Sequence, residues 1–410
     1  MILSCYSNKR FFEIIVQIFC RIIFTIIILL LAYPAKCSIA KTSAILLAND
    51  QGTILYSKNE DQELVPASTL KILTSLAAFD NLGPLHKFEV WFSFDEKTKN
   101  LYVKGFGNPL FISEEIKALC VQILKTTELQ IIHDIILDHS YFSPDIRIPG
   151  TSNSANPYDA TTGSLCANFN TIFFKWDRVS NHYISAEPQT PLLKVFNDQI
   201  KASGQQQGRI LLSKTQRPLY AGLLIQHFIK EMGVSITGDV VPGKFNAFDS
   251  PIEIFESKFS LDQIIGKLLK YSNNYIANQL MLVMGANEFG PPATLNKGIR
   301  VLRNFAKKKL ELKDITLSEA SGISRQNRLS TAQMLKILLA FMPYHELMQK
   351  NGNEYYKTGT LSDVRTRAGY FAGKDQRLYP FVIMLNDTRT GYQSIKNELH
   401  QRVLDISISN

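Results

Sequence analysis

The sequence predicts an α/β (α+β) protein in which one domain of helices and antiparallel strands is split by a β-rich insertion. Two observations carry this. Helical apolar patterning occupies Val65–Gly83 and returns only at "SLDQIIGKLLKYSNNYIANQLMLVMG" and "STAQMLKILLAFM", with short β-prone runs and polar loops between Lys87 and Phe248. The chain then closes on three β-prone runs, "EYYKTGTL", "RTRAGYFAG" and "RLYPFVIMLND". The expected organisation is a leader or anchor over 1–40, one domain from 41–90 and 249–410, and an inserted β-rich accessory region over 91–248. A length of 410 residues with 45% apolar and 20% charged residues suits two or three domains.

The leader is distinct in texture. Phe11–Tyr33 is mostly apolar, broken by Glu13, Gln17 and Arg21, and its uncharged stretch Ile22–Ala32 is shorter than the roughly 20 residues of a membrane span. Lys9, Arg10 and Arg21 form a basic n-region, and Ser38-Ile39-Ala40 places small residues for cleavage. Residues 1–40 are therefore expected to be a signal peptide or a membrane anchor. Loss of Lys9, Arg10, Arg21 and Lys36 together with Glu13 lowers the formal charge from +9 to +6. The remaining cations are scattered, with no nucleic-acid-binding signature, so no nucleic-acid partner is expected. Of five cysteines, only Cys120 and Cys166 lie beyond the leader, which permits at most one disulfide there.

Element by element, "SAILLAND" and "GTILYS" read as a hairpin around Asn49-Asp50-Gln51-Gly52. Pro66 opens a helix whose Leu70, Leu73 and Ala77 line one side and Ile72, Leu76 and Phe79 another, so it is buried on most of its circumference. In the insertion "KFEVWFSF", "NLYVKGF" and "IIHDIILD" read as strands, and "RIPGTSNSANPYDATTGS" as loop. His133-Asp134 and Asp138-His139 flank an apolar strand without a third ligand cluster, so they read as strand-end polar residues and no metal site is expected. "GFGNPLF" lacks the third glycine of a dinucleotide loop.

Three polar islands interrupt the apolar pattern. Ser68-x-x-Lys71 puts a hydroxyl and an amine on one helical face, within hydrogen-bond reach near a helix amino end; as an isolated pair it equally describes a helix cap and a solvated lysine. Ser272-x-Asn274 could pass a proton and hold an amide; as isolated residues they equally describe a helix end or a surface turn, and the same run admits the registration Tyr271-x-Asn273. Lys357-Thr358-Gly359-Thr360 sets a lysine and hydroxyls beside a strand glycine that permits close approach, a combination suited to a carboxylate.

S-x-x-K, S-x-N and K-T-G in that order form the motif set of penicillin-binding proteins and class A β-lactamases. With "PASTLKILTSLAAFDNLGP", "GFGNP", "SNNYIANQL", "ASGISRQNRLS" and "KTGTLSDVRTRAGYF" in sequence, the chain resembles the peptidase S13 family, the class C low-molecular-mass penicillin-binding proteins. Glu319-Ala320 stands where that family has an acidic residue before Gly-Ser-Gly, and the insertion is somewhat compact. The resemblance implies a penicillin-binding/β-lactamase-like transpeptidase fold and a serine-type D-Ala-D-Ala carboxypeptidase/endopeptidase of peptidoglycan, inhibited covalently by β-lactam antibiotics and working without metal or cofactor. It implies Ser68 as nucleophile, Lys71 as its base, Ser272 as proton relay and Asn274 as orienting group. Lys357, Thr358, Gly359 and Thr360 would bind the terminal carboxylate and flank an oxyanion site made by the Ser68 and Thr360 N–H groups. Peptidoglycan stem peptides as partners would place the protein in the periplasm or on the outer face of the cytoplasmic membrane. The alternatives are a β-lactamase-like hydrolase, favoured by the Tyr271-x-Asn273 registration, and a non-catalytic peptidoglycan-binding envelope protein.

Overall fold

The computed structural model describes residues 42–409 apart from 127–128, 153, 246–250 and 388–390. The leader expected over 1–40 lies outside the described residues.

The chain opens with β1 (Ser43–Ala48) and β2 (Ile54–Lys58), paired antiparallel. Their turn is held by the Asn49 side chain, which accepts from the Gln51 and Thr53 N–H groups. A 3₁₀ turn (Ala67–Leu70) runs straight into α1 (Lys71–Leu82), which Gly83 ends at φ +86°. The insertion follows with β3 (Lys87–Asp95), β4 (Asn100–Gly105), α2 (Ser113–Thr126), β5 (Ile131–Ile132) and β6 (Ile135–Asp138). It continues through β7 (Thr171–Asp177), β8 (His182–Ser185), α3 (Asn197–Ala202), β9 (Gln207–Leu211), α4 (Arg217–Glu231), β10 (Ser235–Ile236) and β11 (Val240–Pro242). β12 (Glu253–Ser260) pairs back onto β3 and leads into α5 (Leu261–Tyr271) and α6 (Asn274–Phe289). The remainder is α7 (Leu295–Lys309), α8 (Thr331–Phe341), β13 (Gln349–Asn351), β14 (Glu354–Leu361), β15 (Val364–Ala372), β16 (Leu378–Leu385) and α9 (Gln393–Ser409).

These elements build two cores. In the first, an antiparallel sheet of order β13-β14-β15-β16-β1-β2 carries α1, α5, α6, α7 and α8, and residues from Ala44 to Met384 share one apolar cluster. β1 is buried along its whole length, as its apolar run SAILLA requires of a strand covered on both faces. α6 is apolar on nearly every side and is accordingly buried from Tyr275 to Ala286. In the second core, the inner residues of a mixed sheet of order β11-β6-β4-β3-β12 pack on α2 and α4, joined by the β8-β7-β9 sheet. The strands expected at KFEVWFSF and NLYVKGF form, the run IIHDIILD divides at His133-Asp134 into β5 and β6 of different sheets, and α2 and α4 are added to them. The alternation in KFEVWF places Val90 and Phe92 inward and Glu89 and Trp91 outward.

The long helical run around residue 272 is not one helix. α5 stops at Tyr271, Ser272 takes the left-handed conformation at φ +53°, and Asn273 caps α6 by accepting from the Ile276 N–H at 3.1 Å. Cys120 and Cys166 are both free and buried, one in each core, and burial pushes each thiol up to about 12.

Candidate active site

The first island is assembled by the chain entering α1. Pro66 supplies a carbonyl that accepts from the Thr69 hydroxyl at 2.7 Å and from Thr366 on β15 at 2.8 Å, which pins the turn to the sheet. Ala67 is held at φ +47°, a conformation unusual for a residue with a Cβ. Ser68 follows it and is half-buried, whereas Lys71, one helical turn on, is fully buried.

Lys71 Nζ lies 2.9 Å from Ser68 Oγ, 2.7 Å from Asn274 Oδ1 and 2.7 Å from the Ser321 carbonyl oxygen. The second island thus reaches the first through Asn274, the first residue of α6. Ser272, turned by its left-handed backbone, accepts from Lys357 Nζ at 2.8 Å, and Lys357 also donates to the Thr358 carbonyl at 2.7 Å. The alternative registration is not what the geometry brings together: Tyr271 is 66% exposed, and the Asn273 side chain is spent on capping α6.

The third island lies on β14, against the 3₁₀ turn. Lys357 and Gly359 are buried, Thr358 is half-buried and Thr360 is exposed. A Cβ at Gly359 would stand 2.2 Å from Thr366 Oγ1 and 2.8 Å from the Ser68 backbone nitrogen, so glycine is what lets the strand reach Ser68. All eight residues singled out from the sequence are therefore gathered at one end of α1.

Both buried lysines of the site are lowered in pKa, with burial the largest cause for each. Desolvation, and then repulsion from Lys357, hold Lys71 well below its ordinary value, with the Glu319 carboxylate opposing them. Burial alone lowers Lys357 from 10.5 to about 7.

Sequence reasoning did not assign a role to the segment 319–327. The fully buried Glu319 organises it, accepting from the Ser321 N–H and Oγ–H, the Gly322 and Ser324 N–H groups, and the Asn278 and Asn327 side chains. The signal available was the density of polar residues in "SEASGISRQN", which cannot all be solvated if the segment is covered. The histidine pairs of the insertion stay apart from this site. His133 faces Thr237, His139 contacts the Pro218 carbonyl and Asp138 accepts from the Ser140 and Phe245 N–H groups. Among the described residues no group of three or more His, Cys, Asp or Glu side chains could hold a metal ion.

Comparison with known proteins gives a consistent picture. A model of the D-Ala-D-Ala carboxypeptidase 3 (S13) family matches residues 35–207 and 185–350, a span that includes the first two islands and stops short of the third. The D-alanyl-D-alanine carboxypeptidase DacB of Haemophilus influenzae is 22% identical, covering 83% of this chain and 84% of its own. The crystal structure of penicillin-binding protein 4 (dacB) from the same organism superimposes with a TM-score of 0.71 at 20% identity, covering 88% of this chain and 97% of that one. Bd3459, a predatory peptidoglycan endopeptidase of Bdellovibrio bacteriovorus, gives a TM-score of 0.53 at 17% identity, covering 90% and 92%.

Proposed function

The chain belongs to the D-Ala-D-Ala carboxypeptidase 3 (S13) family, and from that premise we propose that it is a serine DD-peptidase acting on D-alanyl-D-alanine-type bonds of peptidoglycan stem peptides through an acyl-enzyme on Ser68. The observation that carries this is the environment of Lys71. A neutral amine has two N–H groups and one lone pair. Asn274 Oδ1 and the Ser321 carbonyl can only accept, so they take the two N–H groups and leave the lone pair for the Ser68 hydroxyl at 2.9 Å. Lysine in its ordinary state is too basic to be a free amine at neutral pH, and the burial of Lys71 together with the neighbouring Lys357 favours the neutral form.

In this reading Ser68 Oγ attacks the carbonyl carbon of the penultimate residue while its proton passes to Lys71 Nζ. The tetrahedral oxyanion is received by the Ser68 and Thr360 N–H groups, each worth about 3 kcal/mol in acyl transfer. The proton held by Lys71 reaches the leaving amine through Ser272, whose hydroxyl gives one proton and takes up another, Asn274 holds Lys71 and the substrate amide, and water then releases the acyl group. Lys357 in its ammonium form has three donors, of which Ser272 and the Thr358 carbonyl engage two. The third, with the Thr358 and Thr360 hydroxyls, suits the carboxylate beside the cut bond. This chemistry is supplied by the chain's own residues, and β-lactams, which present a strained amide and a carboxylate, are its covalent inhibitors. Carboxypeptidase and endopeptidase activities are both proposed, because a carboxylate lies next to the cut in either substrate.

The leader over 1–40 supports export to the periplasm or the outer face of the cytoplasmic membrane, where cross-linked stem peptides are found. Amino-terminal sequencing of exported protein is expected to start near Lys41. The enzymatic reading is tested by fluorescent-penicillin labelling of the purified protein: a covalent band is expected, and it disappears in Ser68→Ala. Absence of any band would overturn the assignment, and rapid steady turnover of nitrocefin without a stable acyl-enzyme would turn it into a β-lactamase. Digestion of purified muropeptides separates the two peptidase activities, since release of D-alanine without conversion of dimers to monomers would remove the endopeptidase half.

A further inference from the structure

Resting on the DD-peptidase reading, we infer that Glu319 is a positioning residue for acylation: its buried carboxylate fixes both groups that receive the Lys71 N–H bonds. The first tie is direct. Oε2 accepts from the Ser321 N–H at 2.7 Å and from its hydroxyl at 2.6 Å, and Oε1 accepts from the Gly322 N–H at 2.7 Å, so the turn closes around the carboxylate with the Ser321 carbonyl facing Lys71. The second tie runs through Asn278. Its amide donates to Glu319 Oε2 at 3.0 Å and to the Asn274 carbonyl at 3.1 Å, while its oxygen accepts from the Ala320 N–H at 3.0 Å. One carboxylate thereby sets the acceptor on the turn and braces the first helical turn that bears the other acceptor.

The same turn also supports the nucleophile. The Ala320 carbonyl accepts from Thr74 Oγ1 on α1 at 2.6 Å, and Gly322, at φ +84°, lies so close to Ala67 that a Cβ there would stand 1.8 Å from the Ala67 carbonyl oxygen. A buried carboxylate with six donors is costly to disturb, because any donor left without it stays buried and unpaired. The charge acts as well as the shape. The charged groups acting on Lys71 are Lys357 from β14 and Glu319 from this turn, while Ser68, Ser272 and Asn274 are neutral. Lys357 favours loss of the Lys71 proton and Glu319 favours its retention, which makes Lys71 able both to take the Ser68 proton and to hold it.

The experiment measures the second-order rate of acylation by a fluorescent penicillin across pH in the wild type, Glu319→Gln, Glu319→Asp and Asn278→Ala. Glu319→Gln keeps the size, removes the charge and turns one acceptor into a donor facing donors. Its plateau rate is expected to fall about 10- to 100-fold. Its acid limb is expected to move to lower pH, since Lys71 without the neighbouring anion gives up its proton more readily. Glu319→Asp, which restores the charge, returns the limb toward the wild-type position. An unchanged rate in Glu319→Gln, or a lower plateau with the limb unmoved, overturns the inference. Should Glu319→Gln not fold, Asn278→Ala decides: a folded protein acylating within twofold of the wild type overturns it, and a loss of about tenfold supports it. Wild-type acylation in the same assay tests the DD-peptidase reading separately, so the two can fail independently.

Discussion

The catalytic half and the insertion treat buried polarity in opposite ways. Around the first core Lys71, Asn278, Glu319, Ser321, Asn327 and Lys357 are all buried, and each of them is hydrogen-bonded. Among the described residues nine buried side-chain atoms have no hydrogen bond, and eight of them belong to the insertion, from Ser93 to Gln199, leaving the Tyr275 hydroxyl alone in the catalytic half. The difference tracks what each half must do. An amine that has to be neutral in one place and cationic in another needs every neighbour fixed, because in a low-dielectric site a displaced partner changes the charge state. The insertion has to hold its sheet together, which apolar packing achieves without a complete polar network.

If the two cores are energetically separate, the largest disturbance that should leave chemistry intact is Phe92→Ala. Phe92 is fully buried in the second core, and its truncation is expected to cost about 3–5 kcal/mol of unfolding free energy. Denaturant titration gives the loss, and penicillin acylation below the transition should remain at the wild-type rate. A parallel fall in acylation would join the two cores into one functional unit. The reverse case is Gly359→Ala. The added methyl would meet Thr366, Ser68 and Ala67 at 2.2–2.9 Å, so β14 has to withdraw from Ser68. Acylation is expected to drop about 100-fold, as misplacement of reacting groups by around 1 Å does elsewhere, with the insertion's own unfolding unaffected. Retention of the wild-type rate would mean that the strand does not have to approach so closely.

The same contrast governs how much could be read from the sequence. That Ser68, Lys71, Ser272, Asn274 and Lys357 come together was legible from the order of the three motifs, each of which alone has an ordinary structural reading. The interruption at Ser272 was legible as a polar island in the apolar pattern, but its form was not, because the decisive feature is a left-handed backbone angle in a residue other than glycine. Glu319 was visible as an acidic residue in a family block, yet its role depends on six donors drawn from residues 278–327, which no local pattern displays. In the insertion, α2 and α4 fell outside the β-rich reading although their period is legible, with Ile116, Leu119, Cys120 and Ile123 on one face of α2 and Leu224, Ile225, Phe228 and Ile229 on one face of α4. The closing helix α9 was also missed, although Ile395, Leu399 and Val403 recur every four residues and are buried along one stripe.

The last expected effect concerns pH and separates the halves by slope rather than by size. Lys357 sits at about 7 in the folded protein against 10.5 for an ordinary lysine, lowered by burial. Between those values the unfolded chain carries a proton on this residue that the folded chain lacks, so unfolding takes up a proton and stability rises with pH across the window. Below about pH 7 both states hold the proton and the full cost of the buried charge is present. One such group contributes at most about 1.4 kcal/mol per pH unit, and Lys71, shifted in the same direction, adds to the rise. Lys357→Met removes its share, so the unfolding free energy of this variant is expected to climb less steeply than that of the wild type from pH 7 to 10. Phe92→Ala, which alters no titrating group, should run parallel to the wild type at a lower level. Equal slopes in wild type and Lys357→Met would show that Lys357 keeps its proton in the folded state throughout, and the neutral Lys71 would then have to be sustained by a permanent positive charge beside it.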